Sequence, residues 1–80
     1  MKRSDLKLIV ADVLGIEASS LGSDSDLRSI DTFDSVSVLT LMIALDEQAG
    51  VKLSPGEANA LRFYGDIEKA AAKQGIELLD

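Results

Sequence analysis

The sequence places a serine beside an aspartate where a strongly apolar segment begins, in the run Phe33-Asp34-Ser35-Val36. Asp34 suits the N-cap of a helix, because its carboxylate can accept backbone N–H groups and its charge favours the positive end of the helix dipole. The Ser35 hydroxyl would then lie at the electropositive helix start, where a phosphate group is stabilised. Ser35 is therefore a physically suitable place to hold a phosphodiester. The alternative is that Ser35 is simply another capping residue.

Most other chemistries are excluded by what the 80 residues lack. There is no cysteine and no histidine, so thiol chemistry, the usual zinc sites and Ser-His pairs are ruled out. No serine lies in a Gly-x-Ser-x-Gly elbow, and there is no glycine-rich phosphate loop. A calcium loop counted from Asp24 fails, because Arg28 and Ser29 occupy its fifth and sixth positions. We expect no catalytic residue, no metal site and no enzymatic activity.

Charge is concentrated in the middle of the chain. Eight acidic residues lie between Asp12 and Glu47, where Arg28 is the only basic residue, so this segment carries −7 while the whole chain carries −6. Such a field argues against nucleic acid and anionic membranes and favours basic protein partners, with a merely soluble acidic surface as the alternative. The chain shows neither a secretory signal after Met1 nor an apolar run that could cross a bilayer. We expect a cytoplasmic monomer.

Apolar periodicity predicts an all-α fold: one domain over residues 1–80, with three main helices and one short helix in a four-helix bundle. The main helices are predicted over about 5–14, 34–48 and 65–73, and the short helix begins at the capping box of residues 54–57. Predicted boundaries are an N-cap at Ser4 and glycines that end helices at positions 15, 50 and 75. A long irregular loop over residues 17–33 joins the first two helices, and its spaced apolar residues should pin it to the core.

The second helix is apolar on two faces. Five residues form the wider stripe and are predicted to face the core: Val38, Leu41, Met42, Leu45 and Ala49. Val36, Thr40, Ile43 and Glu47 follow at steps of four, three and four, with Leu39 beside them, so they share the other face. We expect Val36 and Ile43 to be exposed. The alternative is that they pack beneath the long loop against Ile30 or Phe33.

In these features the chain resembles the acyl carrier protein family, the phosphopantetheine-binding carrier domains. Asp34-Ser35-Val36 is similar to the Asp-Ser-Leu attachment motif of that family, and the likeness spans roughly 70 residues in order and spacing. Four further segments resemble family signatures: residues 14–16 at the end of the first helix, 24–27 in the loop, 41–47 in the second helix and 65–67 at the start of the last.

The resemblance implies a role for each matched position. Ser35 would attack the pyrophosphate of coenzyme A, helped by a phosphopantetheinyl transferase and magnesium, and Asp34 would assist by position and charge. The thiol of the 4′-phosphopantetheine arm would carry acyl or aminoacyl groups as thioesters, from an acyl-loading ligase or transferase to downstream enzymes. Partner enzymes would contact an exposed face of the second helix, made of Val36, Leu39, Thr40, Ile43, Asp46 and Glu47.

Several positions differ from the family pattern. Thr32 stands where many members have glycine, Val36 replaces the leucine after the serine, and Phe63 replaces the threonine that often opens the last helix. Thr40 occupies the place of a glutamate in typical fatty-acid carriers. These differences favour a specialised stand-alone carrier. The alternative, from another class, is an unmodified helical interaction module with a carrier-like fold.

Overall fold

The computed structural model describes residues 1–79, which form four α-helices around one apolar core. Helix α1 spans Arg3–Leu14, α2 spans Ser35–Ala44, α3 spans Pro55–Asn59 and α4 spans Tyr64–Lys73. Residues 1–79 contain no β-strand, only isolated bridges between Lys2 and Leu79 and between Asp26 and Phe63. The predicted all-α fold, with three main helices, a short one and a long first loop, is confirmed.

The first helix begins earlier than predicted, and the proposed cap at Ser4 is wrong. Helix α1 starts at Arg3, with Lys2 as its extended N-cap. The reason is tertiary: the Arg3 N–H donates to the Leu79 carbonyl at 2.6 Å, and the Leu79 N–H donates to the Met1 carbonyl at 2.8 Å. Pairing with the C-terminal segment therefore supplies a partner for an N–H group that a capping side chain would otherwise satisfy.

The second helix follows its prediction closely but changes geometry near its end. The α-helical part stops at Ala44, and one π-helical turn, Leu45–Ala49, continues to Gly50. Gly50 has φ of 69°, a left-handed conformation that is easy only for glycine, so the helix ends where the sequence predicted.

The short helix α3 is built by its capping box. The Ser54 hydroxyl accepts from the Glu57 N–H at 3.2 Å, and the Glu57 carboxylate accepts from the Ser54 N–H at 3.0 Å. The hydrogen bond from the Ser54 N–H favours the ionised carboxylate and holds the pKa of Glu57 below its usual value. Pro55 occupies the first helical position, where its missing N–H costs nothing.

The core is formed by one face of each long helix together with apolar residues from the connections. Tyr64 and Ile67 bring α4 into it, and both are fully buried. Burial raises the pKa of the Tyr64 hydroxyl. The other large side chains with less than 2% exposure are Leu6, Val10, Leu14, Leu27, Leu41, Leu45 and Val51.

The long loop is fixed in place rather than loose. Leu21 and Leu27 are buried, as the spaced apolar pattern predicted, and two short 3-10 turns, Ala18–Ser20 and Leu27–Ser29, shape its path. The loop also forms backbone hydrogen bonds to Arg62, which precedes α4, and to the first two residues of α4: Leu27 N to Arg62 O at 2.7 Å, Tyr64 N to Ser25 O at 2.9 Å and Gly65 N to Ser23 O at 3.1 Å.

Gly65 is required by this docking. A Cβ atom at position 65 would lie 2.8 Å from the Ser23 carbonyl oxygen, closer than such contacts occur. Next to this glycine, the Asp66 carboxylate accepts from the Phe63 N–H at 3.0 Å and from the Arg62 N–H at 3.1 Å. These two hydrogen bonds fix the start of α4. Both bonds favour the ionised form and hold the pKa of Asp66 below its usual value.

Candidate functional site

The start of α2 carries a reciprocal cap in which Ser35 takes no part. Asp34 Oδ1 accepts from the Ser37 N–H at 2.8 Å, and Ser37 Oγ accepts from the Asp34 N–H at 2.7 Å. The N-cap role predicted for Asp34 is therefore confirmed. Ser37, a residue to which no role was assigned from the sequence, is a partner in the cap. A serine three residues after an aspartate was the available signal.

Ser35 is left as the first residue of α2, exposed to solvent. Within the part of the chain that the structure describes, its hydroxyl forms no hydrogen bond to another protein group. The alternative that Ser35 is another capping residue is wrong, because Asp34 and Ser37 form the cap. The Ser35 oxygen is free to form a covalent bond, at a helix start whose dipole favours negative charge.

An open cleft of about 320 Å³ lies beside Ser35, between the end of the long loop, the start of α2 and helix α3. No local sequence pattern predicts this cleft, because none shows which part of the chain lies across from α2. Its wall includes Val38 and Ala58, both buried, and Phe33, half-buried. The polar lining is Arg28, Asp34, Ser35 and Asn59.

The outer face of α2 is exposed as predicted. Val36 retains 69% of its surface, and Leu39 and Ile43 retain 58% each. The alternative in which Val36 and Ile43 pack beneath the loop is wrong. Thr40 is exposed too, and its hydroxyl donates to the Val36 carbonyl at 3.0 Å, so it is held against its own helix.

The acidic residues of this region lie in the π-helical turn that follows α2. Asp46 and Glu47 are exposed, and Asp46 Oδ1 is 3.7 Å from the ammonium of Lys52, which is itself exposed. Such a surface ion pair contributes little to stability. Between Ser35 and Leu45 no residue is charged, so the structure places an uncharged apolar patch next to the serine and the carboxylates about two turns beyond its centre.

Two kinds of feature are absent from the residues that the structure describes. No helix within residues 1–79 combines the length and apolar character that crossing a bilayer requires. In the same residues, no group of three or more carboxylates lies close enough together to hold a metal ion.

Comparison with known proteins links this site to one family. The sequence profile described as "Phosphopantetheine attachment site" matches residues 4–69. The acyl carrier protein of Chlamydia felis is 33% identical over 63 residues, covering 79% of this chain and 81% of that protein. The acyl carrier protein of Clostridium acetobutylicum is 31% identical over 62 residues, covering 78% of this chain and 80% of that protein.

A solved structure agrees with the sequence relatives. The solution structure of a holo acyl carrier protein from Geobacter metallireducens superimposes with a TM-score of 0.69 at 26% identity, covering 92% of this chain and 91% of that one. Its helices and those described above therefore share one arrangement over nearly the whole chain. The chain belongs to the acyl carrier protein family and is a carrier protein bearing a 4′-phosphopantetheine arm.

Proposed function

We propose that Ser35 is the residue to which the arm is attached. The observation that carries this proposal is the geometry at the start of α2. Asp34 and Ser37 complete the cap, and the Ser35 hydroxyl is left exposed and without a hydrogen bond to the described residues. Among the serines, Ser35 alone combines the first position of a long helix with a preceding aspartate.

The surroundings of Ser35 fit a phosphopantetheine group. The helix start stabilises the negative phosphodiester, because the first N–H groups of α2 have no partner inside the helix. The adjoining cleft offers apolar walls at Val38 and Ala58 for the branched hydrocarbon of the arm, and the Asn59 backbone and side chain supply polar groups for its amides. The bound arm supplies the thiol that a chain without cysteine lacks.

The attachment step requires little of this chain. Ser35 Oγ attacks phosphorus in the pyrophosphate of coenzyme A, forming an O–P bond as the pyrophosphate P–O bond breaks and the nucleotide leaves. A separate phosphopantetheinyl transferase takes the hydroxyl proton and holds the magnesium that balances the leaving charge. Asp34 fixes the position of Ser35 through its bond to Ser37. The chain acts as substrate and carrier rather than as a catalyst.

We further propose that partner enzymes dock on the exposed face of α2 and of the π-helical turn that continues it, formed by Val36, Leu39, Thr40, Ile43, Asp46 and Glu47. Three exposed apolar side chains next to the attachment serine form a patch that a partner can cover. These partners are the transferase, a ligase or transferase that loads an acyl or aminoacyl group, and enzymes that process the thioester. The carrier would act as a cytoplasmic monomer and a single carrier domain.

Modification and mass spectrometry test the attachment site. Incubation with coenzyme A, magnesium and a promiscuous phosphopantetheinyl transferase should add one arm to the wild-type chain and none to Ser35→Ala. Ser37→Ala is the matched control: it should still be modified but lose about 1 kcal/mol of stability with its cap. Ser35→Ala should stay within about 0.5 kcal/mol of wild type.

An arm found on Ser25, Ser29 or Ser37 would contradict the assignment. If wild-type chain produced with an active transferase takes up no arm at any serine, the second candidate function, an unmodified interaction module that docks through α2, would replace the first. The exposed apolar face of α2 is the observation that supports this second candidate function.

A further inference from the structure

The cleft beside Ser35 contains one cation, Arg28, in the most acidic part of the chain. Between Asp12 and Glu47 it is the only basic residue against eight acidic ones. It lies in the second 3-10 turn of the long loop, seven residues before the serine, yet the loop brings it back to line the same cleft as Ser35 and Asp34.

The guanidinium of Arg28 is held in position but its charge is not neutralised. One Nη2 proton donates to the Asn59 carbonyl at 2.7 Å, which anchors the side chain to the end of α3. The backbone N–H of Arg28 donates to Asp26 Oδ1 at 3.0 Å, which fixes the turn below it. Among residues 1–79, Arg28 has no carboxylate within ion-pair distance, so four of its five N–H donors remain available.

A phosphodiester on Ser35 would introduce a negative charge into the cleft that Arg28 lines. It would add a negative charge next to Asp34, the only other charged residue lining the cleft. Repulsion between those two groups would disfavour the phosphate in the cleft unless a cation lay nearby. Arginine suits this purpose, because its planar fork of donors matches the oxygen atoms of phosphate groups.

We propose that Arg28 binds the phosphate of the arm and directs the arm into the cleft between α2 and α3. This inference rests on attachment at Ser35. Since the same guanidinium is bonded to Asn59, the phosphate, the loop and α3 would become one linked unit in the modified protein. Attachment would thereby strengthen the contact between the long loop and α3 that Arg28 makes with Asn59.

A cycle of modification and substitution tests the proposal. Unfolding by urea is measured for the unmodified and modified forms of wild type, Arg28→Gln and Arg28→Lys, after intact mass has shown one arm on each modified sample. Arg62→Gln is the matched control: it removes the same charge from an exposed arginine that does not line the cleft, although its Nε lies 3.9 Å from Asp26. Each comparison isolates the coupling between the arm and one side chain.

If Arg28 binds the phosphate, the factor by which modification raises the folding equilibrium constant should fall about three- to tenfold in Arg28→Gln, as expected for a charge-assisted contact near the surface. Arg28→Lys should lose part of that factor, and Arg62→Gln should match wild type. In wild type, the Nε–Hε signal of Arg28 in nitrogen-15 NMR should shift on modification, while that of Arg62 should not.

Equal factors in wild type and Arg28→Gln, with an unmoved Arg28 signal, would overturn the proposal. A slower transferase reaction of Arg28→Gln would also overturn it if modification still raised the folding equilibrium constant by the wild-type factor. That result would indicate that Arg28 contacts a carboxylate of the partner enzyme. Because the arm is verified by mass before unfolding, either result leaves the attachment at Ser35 intact. Absence of the arm in the mass spectrum would instead disprove the attachment itself.

Discussion

Helix α2 presents two apolar faces that look alike in sequence and differ completely in the folded chain. On the inner face, Leu41, and Leu45 in the π-helical turn that continues it, keep 1% or less of their surface exposed. On the outer face, Leu39 and Ile43 each keep 58%. Residue type does not separate the faces, since leucine occurs on both. The contacts of α1 and α3 with one side of the helix separate them, and the side left open adjoins Ser35.

The difference teaches that an apolar residue in this helix can serve either stability or recognition. Burial of an apolar side chain stabilises the fold in proportion to the surface removed from water. An exposed one contributes little until a partner covers it. The outer face therefore contributes little to the stability of the chain alone, and it suits a carrier that binds several enzymes.

The largest expected effect comes from truncating one leucine on each face. Leu41→Ala should lower the free energy of unfolding by about 2–4 kcal/mol, because it leaves a cavity in the core. Leu39→Ala, two residues away, should change it by no more than about 0.5 kcal/mol. Urea denaturation of both variants measures the contrast, and similar losses in the two would mean that the outer face is also packed.

A smaller effect, on reaction rather than stability, is expected at Ile43. Ile43→Ser should leave the fold intact but lower kcat/KM for modification by a phosphopantetheinyl transferase roughly three- to tenfold, since an apolar contact with the partner is lost. Leu8→Ser provides the control, because Leu8 is 51% exposed on α1, away from the proposed docking face. Equal rates for wild type and Ile43→Ser would remove Ile43 from the docking surface.

The smallest effect is expected from adding a charge to the outer face. Thr40→Glu should raise kcat/KM with a basic partner about two- to threefold at low salt, and the gain should disappear near 1 M salt, where charges are screened beyond roughly 3 Å. Ala72→Glu adds the same charge on the exposed side of α4 and should leave the rate unchanged. A change in the Thr40→Glu rate that salt does not reduce would point to a steric effect.

Local features were predictable because they depend on neighbouring residues. The cap at Asp34, the box formed by Ser54 and Glu57, and the stop at Gly50 each follow from the hydrogen bonds and backbone angles that a few adjacent residues permit. The exposed position of Ser35 follows in turn from the cap, and the outer face of α2 follows from helical periodicity.

The start of α1 and the path of the long loop could not be predicted in the same way. Arg3 begins its helix because Leu79, 76 residues away, accepts its N–H. Gly65 must be a glycine because the Ser23 carbonyl approaches it from the loop. Neither contact leaves a periodic pattern in the sequence, since each joins segments that only the folded chain brings together.

The sequence by itself determined that this chain is helical and that an aspartate caps its second helix immediately before Ser35. The residues that decide this lie within a few positions of one another, where short-range hydrogen bonding and helical periodicity govern the outcome. Only the tertiary structure decided that Arg28 and Asn59 meet beside Ser35 and form a cleft. Arg28 lies on a loop and Asn59 on a helix, 31 positions apart in the chain, and the packing of the core rather than any local preference brings them together.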